Sequence, residues 1–354
     1  MKELMDIYRQ IKKMYESKYD IHICRIDELD ELLDFINDYW QKDHILTQSK
    51  ELLDWQHFDK KNGRYNFVIA KHRQTNEIHG IIGFIISNIY DENIDTPIRW
   101  GAIWKLRDDV SAKGLGLMLK GFLEEEIPVK YIGGVGLSKY SKAIDTKLGE
   151  SMGTLQQYYI ANPHYLDYKL ILNPDIISVN YSETKVMKEI FAEEFGEVAK
   201  TIIDKIMPYK SIDYYINRYY NHPIYSYRCF LIEDNENSCL LFCRTCSAEG
   251  RSAIFLVDYI GDGSELSGTN KLFLELLDQE NAEYICFPCY GIDETYLHDA
   301  GFVLRDAEKT ILPIYYEPFC RKNVELDFHF YSELSGEHII IVKGDADQDR
   351  PSRL

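Results

Sequence analysis

Residues 98–126 read IRWGAIWKLRDDVSAKGLGLMLKGFLEEE, and the change of pattern inside that stretch decides the fold. As far as Leu106 it is a strand, rich in β-branched and aromatic residues. Beyond Gly114 it turns sharply into a helix that ends before Pro128. The junction is Ser111-Ala112-Lys113-Gly114-Leu115-Gly116-Leu117. Glycines there let backbone N–H groups approach a phosphate with no Cβ in the way. The helix's first turn adds unpaired N–H donors and a partial positive charge. Together they make an anion cradle suited to a pyrophosphate, to which Lys113 can add a cation. A KGLG turn also serves as a plain tight turn, so the motif needs its surroundings.

Working outward, residues 21–26 read as a strand and 27–40 as a helix, with a second helical piece from about Ser49. The stretch RYNFVIAKHRQTNEIHGIIGFIISNIY (64–90) is a strand–turn–strand hairpin. After the glycine-led helix come a buried strand over 130–137, a short helix over 139–148 and a last strand over 154–160. Two prolines and no clear period over 162–176 place a boundary there. The second half repeats the order more loosely. Helical material covers about 183–220, then come strands at 225–232, SCLLFCRTC and AIFLVDYIG, the helix KLFLELLDQE, the strand AEYICFPCYG and a final strand TILPIYY. The expectation is an α/β chain of two copies of one architecture, over residues 1–165 and 166–354.

At 354 residues two domains fit the length. No apolar run reaches the ~18 residues of a membrane span, and the first twenty residues read as an amphipathic helix, so a cytoplasmic protein without membrane partners is expected. A net charge of −18 repels phosphate backbones and argues against a nucleic-acid partner. Eight cysteines in a chain this long fit a reducing compartment. Cys243/Cys246 and Cys286/Cys289 form two CxxC pairs, but they lie far further apart than the ~15–20 residues of zinc sites. Both pairs sit in strand-like sequence, so they read as core and no metal is expected. The tail KGDADQDRPSRL places Asp345, Asp347 and Asp349 alternately; without the rest of a calcium loop it reads as solvated charge.

The loop resembles that of the GNAT superfamily of acyl-CoA-dependent acyltransferases, Arg/Gln-x-x-Gly-x-Gly/Ala, with Ser111, Gly114 and Gly116 in the matching places. Downstream, Ser138, Ala143, Asp145 and Gly149 stand at the family's Asn, Ala, Tyr and Gly. The resemblance covers roughly 20–165 and more faintly 225–320, where YLHDAGF looks like the family's Tyr-rich Leu-Gly-Phe ending. It implies two GNAT-like folds in tandem, the second degenerate, each with a mixed, largely antiparallel central sheet flanked by helices. It also implies acetyl-CoA or another acyl-CoA as co-substrate, bound by Leu106, Ser111–Leu117 and Ser138, and a small-molecule acceptor, with a homodimer as the assembly.

Two departures matter. Ser111 removes a side-chain contact to phosphate, and Asp145 stands where the family keeps the Tyr that protonates the leaving thiolate, a task Tyr140 could take over. For the general base that frees an acceptor amine, His44, Asp43 and Glu51 lie in or beside the segment that caps the acceptor site in this family; histidine has the suitable pKa. The resemblance implies N-acylation, with an amino sugar or nucleotide sugar of surface polysaccharide synthesis as the preferred acceptor; Trp40, Trp55, Trp100 and Trp104 could stack on a sugar or pack the core. Tandem GNAT-like folds also occur in aminoacyl ligases of the FemABX type, which need a basic groove that the charge disfavours, and a non-catalytic binding module is the third reading. In the second half, Asp262 and Glu265 stand where phosphates would sit, so that half is expected to bind no cofactor.

Overall fold

The computed structural model describes residues 2–148, 150–203, 207–235, 237–332 and 338–353. The chain forms two compact units, one of Met1–Gly153, Phe328–Glu333 and Ser352–Leu354, the other of Thr154–Asp327 and Leu334–Pro351.

The first unit opens with helix α1 (Lys2–Glu16) and strand β1 (Tyr19–Arg25). Helices α2 (Leu29–Phe35), α3 (Ile45–Gln48) and α4 (Lys50–His57) follow. Then come β2 (Phe58–Asp59), β3 (Arg64–His72), β4 (Ile78–Ile86) and β5 (Ile98–Leu106). Helix α5 (Leu115–Glu126) leads to β6 (Tyr131–Val135), α6 (Lys139–Lys147) and β7 (Ser151–Thr154). The sheet runs β1-β3-β4-β5-β6, then the late strand Asp327–Ser332, then β7. The pair β5–β6 is parallel, because α5 supplies the crossover a parallel connection requires. The hairpin β3–β4 is antiparallel, as its short polar turn dictates.

Leu4, Tyr8 and Tyr15 are the buried stripe of α1. Tyr8 and Tyr15 join Leu115, Met118, Leu119 and Leu123 of α5 in a core closed by Val68, Ala70, Ile82 and Phe84 of the sheet. The two helices approach closely because Gly121 has no side chain: a Cβ there would lie 2.5 Å from the Tyr8 ring. The Tyr8 hydroxyl also donates to Glu125 at 2.7 Å.

The second unit repeats this plan strand for strand. It comprises β8 (Gln156–Ala161), β9 (Val186–Ile190), α7 (Ala192–Ala199), α8 (Ile212–Tyr215), β10 (Arg228–Glu233), β11 (Ser238–Ala248) and β12 (Arg251–Ile260). Helix α9 (Asn270–Gln279), β13 (Ala282–Tyr290), α10 (Glu294–Asp299) and β14 (Val303–Leu304) follow. In chain order the strand Asp327–Ser332 is β15, and β16 is Ile341–Val342. The second sheet runs β9-β10-β11-β12-β13-β8-β14, with β12–β13 parallel across α9 and β16 added to β13. The strand after β6 in the first sheet is therefore β15, from the late chain, and the strand after β13 in the second is β8, from the early chain. The two halves exchange their sixth strands.

Three sequence expectations change accordingly. The strand expected over 154–160 as the last of the first fold is β8, paired with β13 in the second sheet. Alternating apolar residues specify a strand but not its neighbours, so nothing in TLQQYYI could assign it. The stretch 183–220, expected helical, begins with the edge strand β9. TILPIYY forms only isolated bridges, at Ile311 and Tyr316; Pro313 cannot donate to a ladder. Among the described residues no helix is long and apolar enough to cross a membrane.

Candidate active site

In the first unit β5 and β6 pair only from Ile98↔Tyr131 to Gly101↔Gly134. Beyond that point they part, and Ala102–Leu106 keep β4 as partner on one side only. A cavity of about 500 Å³ opens in the gap. Its wall includes Gly101, Ala102, Trp104 and Leu106 of β5, Gly116 and Lys120 of α5, and Gly133 and Gly134 of β6. Glycines 133 and 134 thin β6 on both faces: a Cβ on Gly133 would lie 2.3 Å from the Trp100 ring, and one on Gly134 would lie 2.6 Å from His329 Nε2.

The glycine-rich turn stands beside this gap. Gly114 has φ +90° and opens α5, a conformation that costs an L-residue about 1–2 kcal/mol and suits glycine. The Tyr15 hydroxyl donates to the Lys113 carbonyl, and the Leu115 amide donates to the Ala112 carbonyl at 3.1 Å, so the turn is held in shape before any ligand arrives. Gly116 lets the Trp104 indole lie against the first turn, 3.3 Å from where its Cβ would stand. Ser111 and Lys113 are exposed, Ala112 and Leu117 half-buried, and Leu115 is anchored in the core.

Of the expected catalytic residues, the cavity brings two together. Tyr140 is 72% exposed at the wall. Asp145 also lines the cavity but is buried, and its Oδ1 lies 2.5 Å from Lys120 Nζ. The position that the family resemblance gives to a tyrosine is thus occupied here by a buried carboxylate held by an ammonium. Ser138 lines the cavity as the N-cap of α6, accepting from the Ser141 amide at 3.2 Å. Gly149, the expected family glycine, lies outside the described residues. His44 does not line the cavity. It is buried, and its Nδ1 accepts from the Leu46 amide at 3.4 Å as the N-cap of α3. Of the four tryptophans, Trp40 and Trp104 reach the cavity.

A row of buried ionisable groups escaped the sequence reading. Lys120 Nζ donates to Asp145 and, at 2.8 Å, to Glu150 Oε1. Glu150 Oε2 in turn contacts His329 Nδ1. Burial alone would raise the Glu150 pKa, but His329 and Lys120 outweigh it and hold the carboxyl at about 2. Burial likewise works against the Lys120 cation, and Glu150 and Asp145 outweigh it to raise its pKa. Among the described residues, Asp145, Glu150 and His329 are the one group spaced to hold a metal ion. The Lys120 ammonium already bridges both carboxylates, so the cation's place is taken. Arg99 and Glu124 form a second buried pair on the same wall.

The corresponding gap in the second unit is filled by the chain itself. Pairing of β12 with β13 ends at Phe255↔Cys286. Beyond it β16 bonds to Cys289 and Tyr290, and the Gly344 amide donates to the Val257 carbonyl at 2.8 Å. In the loop before α9, Glu265 Oε2 accepts from the amides of Asp262 and Gly263, both at 3.1 Å, and from the Tyr259 hydroxyl at 2.9 Å. A side-chain carboxylate thus sits in that anion cradle. The tail is not solvated: Asp345 meets Lys210 at 2.9 Å, and buried Asp349 meets Arg244 at 3.1 Å and the Tyr227 hydroxyl at 2.7 Å. The four CxxC cysteines are buried in β11 and β13.

No protein-family model matches the sequence, and no curated protein matches it. Solved structures do. A GCN5-related N-acetyltransferase from Anabaena variabilis matches with a TM-score of 0.51 at 8% identity, over 88% of this chain and 72% of its own. A conserved protein of unknown function from Enterococcus faecalis matches with a TM-score of 0.51 at 9% identity, over 87% and 71%. The fold is GNAT-like. Two such folds in tandem account for the two matching sheets.

Proposed function

We propose that the first unit binds an acyl-CoA and transfers its acyl group to the amine of a small acceptor. The observation that carries this reading is the parting of β5 from β6 beside the α5 N-terminus. The free edge of Ala102–Leu106 offers main-chain groups to the amides of a pantetheine arm, in the manner of an added strand. The amides of the 111–117 turn and the first turn of α5 suit the diphosphate, with Lys113 as an exposed cation and Ser138 at the rim. The thioester then falls where the strands part, over Gly101 and Gly134. Tyr140, exposed at the cavity wall, is our candidate to protonate the leaving sulfur.

An amino sugar or nucleotide sugar is the acceptor class we favour, because Trp40, Trp104 and Tyr140 give the cavity stacking surfaces. Acetyl-CoA is the first donor to try. The thiols, all unpaired, suit the reducing cytoplasm. The test is thermal melting with and without acetyl-CoA, followed by CoA-thiol release with a panel of primary amines and amino sugars. A ligand at 100 times its Kd stabilises by about 2.7 kcal/mol. A folded protein whose melting is unmoved by acetyl-CoA would rule the reading out.

A further inference from the structure

His329 lies on β15 between Phe328 and Phe330, whose side chains alternate to the opposite face. Its Nε2 stands over Gly134, the last residue of β6 paired with β5, and so at the point where the two strands part. Its Nδ1 is turned away, onto Glu150. Glu150 (just before β7), Lys120 (from α5) and Asp145 (from α6) are the charged groups of the row behind the imidazole, joined to it in series.

We propose that His329, oriented by Glu150, is the general base of the transfer reaction. The inference rests on the acyl-CoA reading above. With Nδ1 held against the Glu150 carboxylate, a neutral imidazole carrying its proton on that nitrogen leaves Nε2 as the acceptor, and Nε2 is the atom at the strand gap. The acceptor nitrogen attacks the thioester carbonyl carbon; the C–N bond forms and the C–S bond breaks. The proton lost by nitrogen passes to His329 Nε2 while Tyr140 gives its own to the departing sulfur; His329 then returns a proton to Tyr140 through solvent. The products are an amide and CoA thiol, with no oxidant or reductant consumed. Lys120 keeps Glu150 ionised, so that the carboxylate is available to stabilise the imidazolium. Glu150 is a positioning residue. His44, fixed as a helix cap, has no part in this arrangement.

The test compares the full-length wild type with His329→Gln and Glu150→Gln. Acetyl-CoA-induced melting shifts come first; absence of a shift in the wild type would count against acyl-CoA binding itself, not against the base. Shifts retained in both variants show that they fold and bind. CoA release to the amine panel is then followed against pH. His329→Gln is expected to lower kcat by about 100-fold or more, with the acetyl-CoA KM within about threefold, and to lose the acidic limb of the pH–rate profile. Glu150→Gln is expected to displace that limb and lose less rate. An unchanged kcat and limb in His329→Gln would overturn the assignment. So would a wild type that shows the melting shift yet releases CoA to no amine.

Discussion

Replacing Lys120 with methionine tests the buried row directly. Its Nζ lies 2.5 Å from Asp145 Oδ1 and 2.8 Å from Glu150 Oε1, and the three side chains are 6%, 2% and 0% exposed. Methionine fills the stem's volume but removes the one cation between two carboxylates. Breaking a buried pair from one side costs about 3–5 kcal/mol. At about 2–4 °C per kcal/mol for domains of this size, melting at pH 7 should fall by on the order of 10 °C. The penalty should also depend on pH. The folded-state pKa of Glu150 is lowered to about 2, below an unfolded value of about 4.3. Its pairing therefore stabilises fully above that unfolded value, and the contribution is lost as pH falls towards 2. In the Lys120→Met protein Glu150 takes up its proton at higher pH, because the Lys120 charge that lowers its pKa is gone. The gap between wild type and variant should thus be widest at pH 7 and should narrow near pH 4. Melting curves at the two pH values decide it. The triple variant Lys120→Met/Asp145→Asn/Glu150→Gln should recover much of the loss. A penalty below about 1 kcal/mol, or one identical at both pH values, would refute the reasoning.

Other outcomes are as concrete. Gly116→Val puts a branched side chain against the Trp104 ring, 3.3 Å from the Cβ position, and should abolish the acetyl-CoA melting shift while the protein stays folded. Calorimetry should find one acetyl-CoA per chain, because the second unit's gap and cradle hold β16, Gly344 and Glu265; two sites would contradict that assignment. Asp349→Ala strands the buried cations Arg244 and Lys343 and should cost about 3–5 kcal/mol in thermal melting. A thiol reagent at pH 8 should reach Cys320 alone in the native protein, since the other seven cysteines are buried, and burial pushes the thiols of Cys243, Cys246 and Cys286 up to about 12. Unfolding should expose all eight. Several thiols reacting without unfolding would break this account.

The strand–glycine–helix stretch was legible because local chemistry alone dictates it: apolar and aromatic residues, then Gly114 where φ must be positive, then an apolar helix. The repeat of element order was legible for the same reason. What could not be read was partnership. Lys120, Glu150 and His329 are remote from one another in sequence, and each alone looks like an ordinary charged residue. Two local signals did exist: the double glycine Gly133-Gly134 inside a strand, which marks a close approach by something bulky, and a histidine alternating with two phenylalanines. His44 lies outside the cavity lining, and its sequence position beside a helix start is what makes it a cap. The tail failed because charge was read as solvation, while Arg244, Lys210 and Lys343 were waiting for those carboxylates.

The exchanged sixth strands reach into how this protein is made and inherited. On the ribosome the first half can form β1 through β6 early, yet its sheet lacks a strand until the residues of β15 have been synthesised. That raises the sequence separation of the pairing, Val135 with Phe328 at one end and Tyr131 with Ser332 at the other, to more than half of the chain, and such non-local closure slows folding. A fragment cut in the 162–176 linker would carry β8 without β13 to pair it and β6 without β15. The two halves, though copies of one plan, can therefore no longer be separated, swapped or lost one at a time. The two sheets share one strand order, and the exchange of strands makes them a single piece.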